Sequence, residues 1–184
     1  MLAPDQHGVY DNGWEVGDSV PTPTIFAVLR EQRPESTIAV FHEWGGFGRL
    51  VEKGIPDIIE SPGDEVATIN AAINFLLDGQ YPLPQLMFIH IDHVDGAGHT
   101  RGWGSKGYYD AVNKVDGLIG NFIDAVNKKS ILNESAFFIS SDHGGRCKLK
   151  KKKKKKERKK EREKRKEKRE KRKEKREKKV FFKI

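Results

Sequence analysis

QLMFIHIDHVDGAGH, residues 85–99, sets a mostly apolar run directly before a cluster of aspartate, histidine and glycine. Gln85 to Ile91 reads as a strand, apolar on both faces, as in the interior of a parallel sheet. A second stretch repeats the arrangement: Ala136 to Ser140 (AFFIS) reads as a strand and runs straight into Ser141-Asp142-His143-Gly144-Gly145. Thr37 to Phe41 is a β-branched run that reads as a third, buried strand, and Asp57 to Glu60 as a short fourth.

Helical patterns fall between these runs. Pro21 to Arg33 has Thr22 or Thr24 available as a cap and Ile25, Val28 and Leu29 on one face. Phe47 to Lys53 suits a short helix. Gly63 to Leu77 carries Asp64 and Glu65 in its first turn, a stripe of Val66, Ile69, Ile73 and Leu76/Leu77, and Gly79 placed to end it. Ser105 to Val126 reads as a long amphipathic helix with Ser105 as N-cap. Its buried side is expected at Tyr108/Tyr109, Val112, Val115, Leu118/Ile119, Phe122 and Val126. Strands alternating with helices imply an α/β layered domain, with a mainly parallel sheet flanked by helices. In such folds ligands bind beyond the carboxyl ends of the strands, where both polar clusters lie.

Asp95 and His99 stand four residues apart across Gly96 and Gly98, so that an oxygen and an imidazole nitrogen can meet at one metal ion. Asp142 and His143 are adjacent at the other strand end. Two such clusters on one sheet edge suggest two metal ions sharing a substrate oxyanion, the arrangement used for displacement at phosphorus. Asp92 is an alternative to Asp95 as the ligand. His90 and His93 are read as pleat partners or as supports behind the ligands, His42 as structural, and Trp44, Trp103 and Phe47 as core or lip aromatics. Asp-Gly and His-Gly pairs also occur in ordinary turns, and that plain reading competes for each cluster taken alone.

The chain has 184 residues and a formal charge of +8, but from Lys150 to Lys179 it contains only 17 Lys, 6 Arg and 7 Glu. That tract carries +16, so the remainder carries −8 and the basic balance belongs to the tail alone. The expected division is a foldable body over 1–146 and a charged low-complexity tail over 147–184. The tail is either helical through Glu–Lys/Arg pairs three or four apart or disordered by self-repulsion. Lys, Arg and Glu can all be encoded by purine-only triplets, so the tract also reads as translation of a purine-rich repeat in place of a genuine C-terminal part. As a basic arm it could bind anionic surfaces nonspecifically; no specific nucleic-acid recognition is expected. The single cysteine, Cys147, excludes an internal disulfide. No signal-peptide pattern is visible in residues 1–30, and no apolar run reaches the roughly 18–20 residues that span a bilayer.

HGVYDNGW (7–14), DHVDGAGH (92–99) with GWGS and Tyr108 after it, and SDHGG (141–145) resemble the type I phosphodiesterase / nucleotide pyrophosphatase branch of the alkaline phosphatase superfamily. The resemblance covers about residues 5–146 and implies a partial alkaline-phosphatase-like core. It implies two divalent metal ions of zinc type, with Asp95 and His99 at one and Asp142 and His143 at the other, and Asn12 as the contact to a phosphoryl oxygen. It implies phosphate-ester small molecules as substrates, in-line attack by a Thr or Ser alkoxide and a covalent phospho-enzyme. Complete members of the family are often secreted or membrane-associated. The sequence departs from the pattern at both ends. No Ser or Thr precedes His7, where the family places its nucleophile and a further metal-binding Asp, and no His follows His143, where the family has another ligand. A fragment inactive as written is therefore expected. A sulfatase-like or phosphomutase-like member, or a non-enzymatic degenerate domain with a basic arm, are the alternatives.

Overall fold

A computed structural model describes residues 22–146 and 158–171. Asn12 and the whole of the first motif, residues 7–14, lie outside the described residues. The order is α1 (Ile25–Gln32), β1 (Ile38–His42), a 3-10 turn (Gly45–Leu50), β2 (Ile58–Glu60), α2 (Glu65–Asp78), β3 (Leu86–His90), α3 (His93–Ala97), a π turn (Gly98–Gly102), α4 (Lys106–Lys128) and a 3-10 turn (Leu132–Glu134). The three strands form a parallel sheet in the order β2-β1-β3, with Ile38 opposite Leu86 and His42 opposite His90. This is the expected α/β layered arrangement.

The central strand explains the core. All five residues of β1 are buried, and successive side chains point to opposite faces. Ile38 and Val40 pack with Phe26 of α1, Val51 and the β3 residues Leu86 and Phe88. Ala39 and Phe41 pack on the other face with Ala72 and Phe75 of α2, Met87, Ile89 and Phe122 of α4. Leu76 then meets Ala125 and Val126, which docks α2 on α4. The strand entrances are tied by side chains. Asp57 Oδ2 accepts from the Ile38 amide at 2.8 Å and from Arg30 at 2.7 Å, and Gln85 Oε1 accepts from the Thr37 amide at 2.6 Å.

Thr24 and Ser105 cap their helices as the sequence reading allows, and Asp64, read there as a first-turn acid, is the cap of α2. The Thr24 hydroxyl, the Asp64 carboxylate and the Ser105 hydroxyl accept from the amides of Ala27, Ala67 and Tyr108. Gly79 takes the left-handed conformation that ends α2, with φ at 75°.

Four expectations need correction. Residues 136–140 are not a strand: they have no sheet partner among the described residues, and Phe138 is 94% exposed. β3 is the edge of the sheet and half-buried, rather than enclosed on both faces. The turn expected over Phe47 to Lys53 forms earlier, as the 3-10 turn at Gly45–Leu50. On the helices, Val66, Leu77 and Tyr109 are outward, while Glu65 and Thr68 are buried.

Of the tail, residues 158–171 are helical and exposed throughout. Glu161 pairs with Arg165 and Glu167 with Lys171, each acid four residues before its base, the favourable order on a helix. Among the described residues no helix is long and apolar enough to cross a membrane.

Candidate metal and phosphate-ester site

β1 and β3 end side by side, and their last residues lead into the polar groups. His42 is buried and approaches the Trp44 carbonyl through Nδ1 at 3.0 Å. His90 stacks on Phe47 with ring centroids 5.0 Å apart, and burial is the main cause that holds its imidazole below the usual histidine range. Both rings pack at the ends of their strands, and His90 Nδ1 is buried without a hydrogen-bond partner among the described residues.

Beyond His90 the chain enters α3. Gly96 and Gly98 do not make the tight turn expected of them: neither has positive φ, and Gly98 is helical at φ −60° and ψ −45°. Gly98 is small for another reason. A Cβ there would sit 2.6 Å from the Trp103 ring, so glycine admits the indole against the helix. The helical path puts residues 95 and 99 on the same face. Asp95 Oδ2 is 3.3 Å from His99 Nε2.

The second cluster arrives without a strand and still meets the first. His143 Nε2 is 3.6 Å from Asp95 Oδ1 and 3.6 Å from Asp142 Oδ2. The four residues therefore form a chain of approaches, His99–Asp95–His143–Asp142, with the Asp95 carboxylate between two imidazoles. Trp103 closes one side. Its ring stands edge-on to His99 at 5.7 Å and to His143 at 6.1 Å, and lies so close to Gly145 that any Cβ would overlap it. His143 Nδ1 lies 3.1 Å from the Gly144 carbonyl, an acceptor, which turns Nε2 toward the carboxylates.

Among the described residues, Asp95 Oδ1 is buried without a hydrogen-bond donor. An ionised oxygen left in that state is costly unless a cation sits beside it. Two carboxylates and two imidazoles are donors of the kind that bind zinc-type ions. Asp142 is much the most open of the four, with its side chain 85% exposed.

A second group of side chains was not foreseen as a unit. Glu43, directly after β1, Glu65 at the start of α2 and His93 bring potential ligand atoms within 4.8 Å of one another and could hold a metal ion. A cation already stands there: Lys114 of α4 pairs with Glu65 Oε1, and His93 Nδ1 lies 3.2 Å from Glu65 Oε2. Burial works to raise the Glu65 pKa. The hydrogen bond from Lys114, a backbone amide and the His93 and Lys114 charges together outweigh it and hold the carboxyl below its usual range. The sequence signal for Glu43 was its place at a strand's carboxyl end. For Glu65 there was none beyond a first-turn acid.

The chain is similar to GPI ethanolamine phosphate transferase 1 of Saccharomyces cerevisiae, with 37% identity over 78 residues, 41% of this chain and 8% of the relative. It is similar to ectonucleotide pyrophosphatase/phosphodiesterase family member 1 of Rattus norvegicus, with 24% identity over 166 residues, 80% of this chain and 18% of the relative. The chain thus spans less than a fifth of either relative's length. The family model for type I phosphodiesterase / nucleotide pyrophosphatase matches residues 39–153, a span that holds all of β1 but Ile38, β3, and Asp95, His99, Asp142 and His143. Matched over more than half of its length, the chain belongs to the type I phosphodiesterase / nucleotide pyrophosphatase family.

Proposed function

We propose that this chain carries part of the metal-binding face of a phosphoric-ester hydrolase, with Asp95, His99, Asp142 and His143 as ligands of zinc-type ions. The observation that carries this reading is the Asp95 carboxylate, set between two imidazoles with one buried oxygen that has no donor among the described residues. Bound ions of this kind supply charge to the phosphoryl oxygens and lower the pKa of an attacking hydroxyl. Asp95 offers one oxygen to each half of the site, and the Gly144 carbonyl orients His143. Trp103 shields one flank from water. Asn12 would orient a non-bridging phosphoryl oxygen. The substrate class is a phosphodiester or a nucleotide pyrophosphate, in keeping with the pyrophosphatase/phosphodiesterase and phosphate-transferase names of the two relatives.

A polypeptide limited to these 184 residues is expected to turn over little substrate. Shared between two ions, the four ligands leave each ion mostly hydrated and weakly held. The deciding experiment titrates the chain and its Asp95→Ala variant with Zn2+ and Co2+ by calorimetry and absorption, then assays both with a p-nitrophenyl phosphodiester. Binding that is lost in Asp95→Ala, with turnover no faster than zinc in buffer, is expected. Binding indifferent to Asp95→Ala would sink the ligand assignment. Turnover by the parent that Asp95→Ala abolishes would sink the inactivity.

A further inference from the structure

We propose that Glu43 is a positioning residue, which from the end of β1 fixes the segment carrying Asp95 and His99. This inference rests on the reading of Asp95 and His99 as metal ligands. α3 opens without a cap of its own, since Asp92 at its N-cap position makes no side-chain hydrogen bond to it. The missing acceptor comes from across the sheet. Glu43 Oε2 accepts from the Asp92 amide at 2.7 Å and from the His93 amide at 2.9 Å, contacts between residues 49 and 50 positions apart. The Glu43 amide in turn donates to the His90 carbonyl at 3.0 Å, so residue 43 grips both sides of the bend between β3 and α3.

Hydrogen bonds from amides to an ionised carboxylate are short and strong, and a negative group at a helix start is favoured by the helix dipole. The ring of the same His93 is held on its other side by Glu65, which Lys114 anchors. His93 is therefore fixed at its amide and at its imidazole, two residues before Asp95. The Gly96 amide bonds the Asp92 carbonyl at 3.0 Å and closes the first turn, so the path from Glu43 to the Asp95 carboxylate passes through a hydrogen-bonded bend and one helical turn. Lys114 already supplies a positive charge beside Glu65. The Glu43–Glu65–His93 group consequently works as a support for the neighbouring site, and the ion belongs at Asp95.

The test uses the 184-residue chain with Glu43→Ala, Glu43→Asp, Glu43→Gln and Asp95→Ala, titrated with Zn2+ and Co2+, with melting in the absence of metal followed alongside. A single Glu43 oxygen accepts both amides, so the one amide oxygen of Gln can replace it. Asp is shorter by one carbon–carbon bond, about 1.5 Å, and cannot reach both. Glu43→Ala is expected to weaken metal binding roughly tenfold to a hundredfold, the usual effect of removing a group that orients a ligand, and to alter the Co2+ absorption. Glu43→Gln should stay within about threefold of the parent, and Glu43→Asp should fall between Gln and Ala. If Glu43→Ala does not fold, the order of Gln over Asp carries the test alone. Asp binding metal as well as Gln or better overturns the proposal, because charge and not reach would then matter, as for a carboxylate that ligates the ion itself. Parent-like binding in Glu43→Ala overturns it too and leaves the Asp95 site standing. Parent-like binding in Asp95→Ala removes the site and the positioning role together.

Discussion

Residues 85–91 and 136–140 have the same apolar character and each delivers an Asp and a His, yet they fold differently. β3 pairs along all five residues with β1, and its side chains divide between the two core faces. The segment 136–140 lies in the open, with Phe138 94% and Ile139 77% exposed. The candidate site inherits this difference. Asp95 and His99 stand on a helix gripped by Glu43 and, through His93, by Glu65. Asp142 and His143 follow an exposed segment, and the hydrogen bonds beside them are local, such as the Ser141 hydroxyl to the His143 carbonyl at 2.5 Å. An apolar pattern marks where a strand can form. A hydrogen-bonding neighbour decides whether it does.

The largest test of the contrast is in the central strand that supports the first half. Phe41 is fully buried, edge-on to Phe75 and against Ala72. Phe41→Ala should destabilise the chain by about 3–5 kcal/mol, read from urea unfolding. A cost under about 1 kcal/mol would mean that the sheet is not the stable centre of the body. The two glycines against Trp103 sharpen the comparison at smaller scale. Gly98 is buried in the supported half, and Gly98→Ala should cost about 1–3 kcal/mol by overpacking. Gly145 is exposed, so its backbone can give way, and Gly145→Ala should change stability by less than about 0.5 kcal/mol while separating His143 from Asp95. Equal stability costs at the two positions would erase the distinction between the halves.

Acid should also act on the supported half. Burial tends to raise the Asp57 pKa, but the Ile38 amide and Arg30 outweigh it and hold the carboxyl below its usual range. A depressed carboxyl contributes stability above its unfolded pKa, near 4, and that contribution disappears as pH falls through the lower folded value. The parent should therefore lose melting temperature below about pH 4, and Asp57→Asn should lose less over the same interval, its tie being already weakened at neutral pH. The same acid slope in both proteins would remove Asp57 from the account.

Much of this was legible in the sequence. The alternation of patterns, the caps at Thr24 and Ser105 and the four-residue spacing of Asp95 and His99 are local facts, and local facts survive folding here. Glu43 and Glu65 were not legible as partners, since their contacts to residues 92, 93 and 114 join distant parts of the chain. The helical course of Gly96 and Gly98 was missed because a glycine pair in a polar cluster looks the same whether it serves a turn or the approach of Trp103. AFFIS was misread because nothing within five residues says whether an edge will be available to pair with it.

The smallest expected effect falls on that misread segment and tests the contrast most directly. Burying a phenylalanine side chain against leaving it in water is worth about 1.5–3 kcal/mol, and Phe138 is 94% exposed, so little of that is realised. It has no sheet partner among the described residues, and truncation removes no ladder bond, because those come from the backbone. Phe138→Ala should therefore shift unfolding free energy by no more than about 0.5 kcal/mol, a tenth of the Phe41→Ala effect or thereabouts. Side-chain burial can also arise between molecules, since an exposed apolar segment is a ready contact for another copy. The unfolding curves should accordingly be taken at two protein concentrations. A loss above about 2 kcal/mol at both would show that 136–140 is packed within the chain and that the second half of the site is as firmly held as the first. A loss that appears only at the higher concentration would place Phe138 in an association between copies, with the isolated chain keeping its loosely held half.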